Sequence, residues 1–230
     1  MNPTQFLLVA WKSLMNSSND SFKGTSLEEL QETVKNFAIS SAIAGGVAGA
    51  IPGASVIACL AQTGIVWTMY VKINKQLGIS MSKSTMKFIG SAMLTNLISN
   101  AGSLLIAYAG ATVLSFIPIL GQITGPLMGT ALGYIVIYVS AVLYLNLLTK
   151  LFKAKGSFTM DESDEMKEMI KAVVNESDVK GIIKEGQKSF KMAKKNGEID
   201  RAKKNMKCPS CGADITTDQK YCSSCGAELK

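Results

Sequence analysis

The chain contains no histidine, so the commonest general base and a frequent metal ligand are both missing. No glycine-rich loop runs into Lys-Ser or Lys-Thr, which leaves no phosphate-cradling motif for nucleotide hydrolysis. The deepest deficit is charge. Asn36–Val71 and Phe88–Thr149 contain no Asp, Glu, Lys or Arg. An amphipathic helix in water needs a polar face, and the second run is about three times the roughly 20 residues that span a bilayer. A proton relay is not favoured, because pumps and coupled transporters normally place ionisable residues inside the membrane. With no histidine and no carboxylate pair in these runs, no nucleophile–base constellation can be assembled, and an enzyme is not expected.

The charge that is present is segregated. Residues 1–149 hold seven Lys/Arg and four Asp/Glu, and residues 150–230 hold the rest. The overall +7 is concentrated between Val179 and Lys207, where ten Lys/Arg face three acids. The sequence therefore predicts an all-α membrane protein in four parts. These are an interfacial segment (1–26), a helical membrane domain (27–151, with hairpins 27–71 and 84–151), a cytoplasmic helical stalk (152–206, basic from 179) and a zinc ribbon (207–230).

The apolar start, Phe6–Trp11, is too short for a signal peptide and has no preceding positive charge. It suits a short helix that either sets Trp11 among headgroups or packs on the protein's own helices. Thr25 and Ser26, followed by Glu28 and Glu29, are overlapping capping signatures that place a helix start near Leu27. Along that helix Ser41, Gly45, Gly49 and Gly53 recur every fourth residue, and Gly125, Gly129 and Gly133 repeat the pattern later. Small residues so spaced let a second helix approach closely.

Pro52-Gly53 breaks the first apolar run, and Pro118, Gly121 and Gly125-Pro126 break the second. Helices are expected over Ala54–Val71, Ser84–Phe116 and Leu127–Leu151. The arm before Pro52 offers about 15 apolar residues, or roughly 22 Å, against a hydrocarbon core of about 30 Å. That hairpin is either a shallow re-entrant element or two short spans. Lys72, Lys75, Lys83 and Lys87 form a basic loop without an acid, which marks the cytoplasmic side. Both termini then lie in the cytoplasm. Gln62, Asn96, Asn100, Gln122 and Asn146 are the amides of the uncharged runs, and interhelical hydrogen bonding is their default role.

Ile51-Pro52-Gly53-Ala54, Leu77-Gly78-Ile79, Ile117-Pro118-Ile119-Leu120-Gly121 and Ala131-Leu132-Gly133 resemble the helical membrane domain of YcjF-like bacterial proteins, which also occurs fused to small GTPases. The likeness covers about residues 35–150. It implies a module of the bacterial inner membrane with a cytoplasmic partner, a GTPase among the options. The missing phosphate loop means that nucleotide hydrolysis is not carried over.

Beyond Lys150, Lys153 and Lys155, Met166, Met169, Ile170, Val173 and Val174 mark the apolar face of one helix. After a break at Asn175–Asp178, Val179, Ile182, Ile183, Phe190 and Ala193 mark a second helix. Lys180, Lys184, Lys188, Lys191 and Lys195 lie between those apolar positions, as a solvated basic face or a contact for anionic lipid or a partner. Nucleic acid is not favoured, because no stacking aromatics accompany the lysines.

Cys208-Pro-Ser-Cys211-Gly and Cys222-Ser-Ser-Cys225-Gly are two Cys-x-x-Cys knuckles. Four thiolates at this spacing surround Zn²⁺ tetrahedrally and leave no open position, so the ion would be structural. The remaining Cys59 sits in an apolar run and reads as a small buried hydrophobe. The leading expectation is a non-enzymatic, homo-oligomeric membrane scaffold that presents the ribbon to a cytoplasmic partner. The alternatives are an oligomeric channel lined by Asn96, Asn100 and Gln122, and a soluble helical oligomer that partners a GTPase.

Overall fold

The computed structural model describes residues 4–18, 22, 25–48, 55–115, 125–158, 162–204, 206–207, 214–215 and 224–225. The described residues form eight helices and one short strand pair. The helices are α1 (Gln5–Ser17), α2 (Leu27–Ala48), α3 (Ser55–Leu77), α4 (Lys83–Leu114), α5 (Gly125–Lys155), α6 (Asp164–Glu176), α7 (Val179–Lys195) and α8 (Glu198–Lys204). Strand β1 (Met206–Lys207) pairs antiparallel with β2 (Asp214–Ile215).

The capping expectation at Leu27 resolves onto one of its two signatures. The Ser26 hydroxyl accepts from the Glu29 amide at 3.1 Å, and the Glu29 carboxylate accepts from the Ser26 amide at 3.5 Å. Thr25 instead donates its hydroxyl to the Gln76 carbonyl and so ties the start of α2 to the end of α3. The lysines expected in a loop stand on helices: Lys72 and Lys75 belong to α3, Lys83 and Lys87 to α4, and only residues 78–82 turn. Lysine stems favour helix, so α3 continues until Gly78, at φ +68°, lets the Ile79 amide reach back to the Asn74 carbonyl at 2.8 Å. Ser82 then accepts from the Thr85 amide and starts α4.

Helix α5 is the axis of the bundle. It packs on α1, α2, α3, α4, α6 and α7, and nearly every residue from Thr130 to Leu151 is buried. Tyr70 of α3 stacks on Tyr144 at 3.9 Å between centroids, and the Tyr144 hydroxyl donates to Asn74 Oδ1 at 2.7 Å. Of the two expected roles for α1, packing is the one observed, since Leu7, Trp11 and Leu14 are buried in the core. Helices α4 and α5 are each long and apolar enough to cross a membrane, by length and composition. They differ in surroundings: 89% of the apolar window of α5 is buried inside the bundle, against 39% for α4.

The segment read as a stalk is helical but does not project. Helix α6 lies on α4 and α5, α7 lies on α5, α4 and α1, and α8 reaches α2. Its sequence names the reason. Met166, Ile170, Val173 and Val174 of α6 and Ile182, Ile183, Phe190 and Ala193 of α7 are single apolar faces, and the flank of α5 supplies the apolar surface they need.

Candidate functional site

A short strand pair brackets the first knuckle in sequence. Met206 pairs with Ile215 and Lys207 with Asp214, so residues 208–213, which include Cys208 and Cys211, connect two paired strands. Ser224 and Cys225 form an exposed turn, whereas Cys208, Cys211 and Cys222 lie outside the described residues. Paired strands on either side of one Cys-x-x-Cys in sequence, and a turn at Ser224-Cys225 of the second, are compatible with a four-thiolate site for Zn²⁺. The donor set fits zinc in number and type. Four thiolates would hold the ion, and the ion would in turn fix chain that has little apolar core of its own.

The small-residue stripes meet each other. A Cβ added at Gly129 would fall well under 3.0 Å from the carbonyl oxygen of Gly45, and one added at Gly133 would do the same at the carbonyl oxygen of Ser41. A Cβ at Gly46 would stand 2.5 Å from Thr130 Oγ1. Two of the expected packing sets therefore form one internal contact between α2 and α5, backbone against backbone. Gly49, Gly53, Pro52, Pro118 and Gly121 lie outside the described residues, and Gly125 and Pro126 open α5.

The basic row of α7 differs from the neighbouring lysines in its partners. On and beside α6, Lys167 pairs with Asp164, Lys171 with Glu168, Lys150 with Glu176 and Lys155 with Glu165. The ammonium of Lys167 holds the exposed Asp164 carboxyl below the usual carboxylate range. Among the described residues, Lys180, Lys184, Lys188, Lys191 and Lys195 make no ion pair of this kind, and Lys191 alone of the five is half-buried. Their spacing of four, four, three and four residues keeps them on one side of the helix. The row thus offers five uncompensated cations over about 22 Å of helix.

The amides divide. Asn100 donates to Asn175 Oδ1 at 3.2 Å and Asn146 to Ser177 Oγ at 3.2 Å, both across helices, whereas Asn96 donates to the Ala92 carbonyl of its own helix. Gln122 lies outside the described residues. Asn100 and Asn96 are therefore engaged with protein, and nothing in their geometry gathers them round a lumen.

Two buried polar residues escaped the sequence reading. Asn74 accepts from Tyr144 and donates to the sulfurs of Met81 and Met86 at 3.3 and 3.2 Å. Glu185 reads in sequence as one acid among lysines, yet it is buried. Its Oε1 accepts the Tyr138 hydroxyl at 2.5 Å and the Phe6 amide at 2.8 Å. One carboxylate thereby joins α7 to the middle of α5 and to the first turn of α1, whose amides have no partners within the helix. Glu185→Ala is expected to lower the stability of the bundle by about 3 kcal/mol, because it strips two charge-assisted hydrogen bonds from buried donors. Glu185→Gln keeps an acceptor and should lose clearly less, as read from urea midpoints.

Compared with known proteins, residues 207–229 match a family model described as a zinc-ribbon domain. That match defines the class of the C-terminal module, and zinc ribbons hold their ion structurally. No curated protein and no solved structure matches the chain. No family model matches residues 35–150, so the likeness to YcjF-like proteins is not matched by any of these comparisons.

Proposed function

We propose that the chain is a non-enzymatic membrane scaffold, anchored by the uncharged end of its bundle and displaying a zinc ribbon that docks a cytoplasmic protein. The carrying observation is how charge is distributed along the bundle. Helices α2 and α3 approach their connection through Asn36–Val71, and α4 and α5 approach theirs through Phe88–Thr149, without a single Asp, Glu, Lys or Arg. The Gly45–Gly129 contact sets the C-terminal end of α2 beside the N-terminal end of α5. The charged helices α6 to α8 wrap the other part of the bundle. An elongated body with one uncharged end and a basic flank suits an anionic bilayer. The setting we propose is a bacterial inner membrane with the ribbon on its cytoplasmic face, since an all-cysteine metal site fits a compartment in which reduced thiols persist.

Burial of α5 favours one second reading, a soluble helical bundle that partners another protein, a GTPase among the options. Flotation separates the two. The purified full-length chain, mixed with vesicles of zwitterionic lipid alone or with about a third anionic lipid, is expected to float with the anionic vesicles and to stay bound in high salt. A chain that remains at the bottom of the gradient with both lipids would leave the soluble reading standing. The channel reading gains nothing from Asn96 and Asn100, whose amides bond to neighbouring helix atoms.

A further inference from the structure

We propose that the cleft lined by α1, α2, α5, α7 and α8 binds a small amphipathic cation, a primary ammonium carried on a short aliphatic chain. This goes beyond the scaffold reading and does not depend on a bilayer.

The cleft has a volume of about 500 Å³, within the range of sites that take small molecules. Leu7, Val34, Tyr134, Tyr138 and Ala193 are buried and make its inner wall. Met192 also lines it and is 48% exposed, an apolar side chain that the bundle itself leaves uncovered. Four helices thus supply apolar surface to one cleft, which an aliphatic chain would cover.

Charge gives the other half of the ligand. Glu32, Lys35 and Glu198 are the charged residues of the lining. Two carboxylates against one ammonium leave it one negative charge, on a chain that is +7 overall. Lys35 Nζ meets Glu198 Oε1 at 2.8 Å, although the lysine side chain is 47% exposed. Glu198 Oε2 is covered and has no hydrogen-bond donor among the described residues. An acceptor taken from water without replacement is where a new donor gains most. The last torsion of a glutamate is broad, so the carboxylate can turn that oxygen toward the cleft. Glu32 is exposed and makes no ion pair among the described residues, and the side chains of Asn36 and Asn196 bring further carbonyl acceptors to the lining. A primary ammonium has three donors to spend on such a set. An anion would meet Glu32 and find Lys35 already engaged. A divalent metal ion would need oxygen ligands on all sides, where this wall is largely apolar.

The test is a calorimetric titration of the zinc-loaded full chain with butylammonium chloride at constant ionic strength. Butanol and sodium butyrate, which keep the four-carbon chain without the charge or with its opposite, are the controls. Butylammonium alone is expected to bind saturably, one per chain. Glu198→Gln should weaken binding by about tenfold or more, since it removes the anion and keeps the shape. Met192→Lys should do the same by placing a resident ammonium at the cleft, and as Met192 is exposed the variant should keep the parent's melting temperature. Lys35→Met, which removes the competing cation from Glu198, should tighten binding by about threefold. Should Glu198→Gln fail to fold, Met192→Lys carries the same decision. Butanol binding as tightly as butylammonium would overturn the assignment by showing an apolar cleft indifferent to charge. Preference for butyrate would overturn it in favour of Lys35. Unchanged affinity in Met192→Lys would place the ammonium elsewhere, and no saturable binding of butylammonium would leave the cleft to water.

Discussion

Gly129→Ala should destabilise the bundle by about 3 kcal/mol, the upper end of the usual range for overpacking. The added Cβ would land on the carbonyl oxygen of Gly45, and a backbone atom cannot rotate away as a side chain can. Helices α2 and α5 must then part, and every contact along Ser41–Gly133 and Gly46–Thr130 loosens with them. Gly133→Ala should behave alike at the Ser41 carbonyl. Gly110→Ala is the internal control, since its Cβ would meet only the Met128 side chain at 3.6 Å. There the higher helix propensity of alanine should leave stability unchanged or raise it by up to about 1 kcal/mol. Urea midpoints followed by far-UV circular dichroism read all three variants. Equal losses at Gly129 and Gly110 would mean that the close helix contact is absent in solution. Because total stabilities run to about 5–15 kcal/mol, the expected loss is large enough to expose the apolar flank of α5. The same geometry bears on self-association: Ser41, Gly45, Gly129 and Gly133 are engaged within one chain and are not open to a second copy.

The helices were legible where the signal is local. The capping pair Ser26 and Glu29, and the break expected at Asn175–Asp178, which falls at Ser177–Asp178, follow from residue chemistry within a few positions. The zinc-ribbon module was legible for the same reason, since two knuckles at that spacing are a local pattern, and the family match falls on them. What the sequence withheld was partner choice. The apolar face of α7 is plain in Ile182, Ile183, Phe190 and Ala193, yet nothing in the periodicity says whether that face meets α6 or α5. An uncharged helix reads equally as a lipid-facing span or as an axis that six neighbours enclose. Glu185 is the sharpest case. Its identity suggests solvent, and only the proximity of Tyr138 and the Phe6 amide makes burial tolerable.

Chelating zinc, or replacing Cys208 with serine, should unfold residues 207–229 and leave the helical bundle intact. The matched ribbon has 23 residues, too few to bury a sufficient core, and its described strand pair is two residues on each side, far below what a hairpin needs to stand alone. Metal binding must therefore supply the folding free energy, which for structural Zn²⁺ in small finger domains is about 10–16 kcal/mol near neutral pH. The helices draw their stability from α5 and its neighbours, at residues remote in sequence from the cysteines. One zinc per chain is the expected content. On chelation the four ribbon thiols should become reactive together, and the melting transition of the helices should not move. Acid should release the ion as well, because protonation competes for the thiolates. A bundle that melts when zinc leaves would mean that the ribbon is part of the helical core. It could not then serve as an independently folded docking module, and the scaffold reading would lose the element that is proposed to bind the partner.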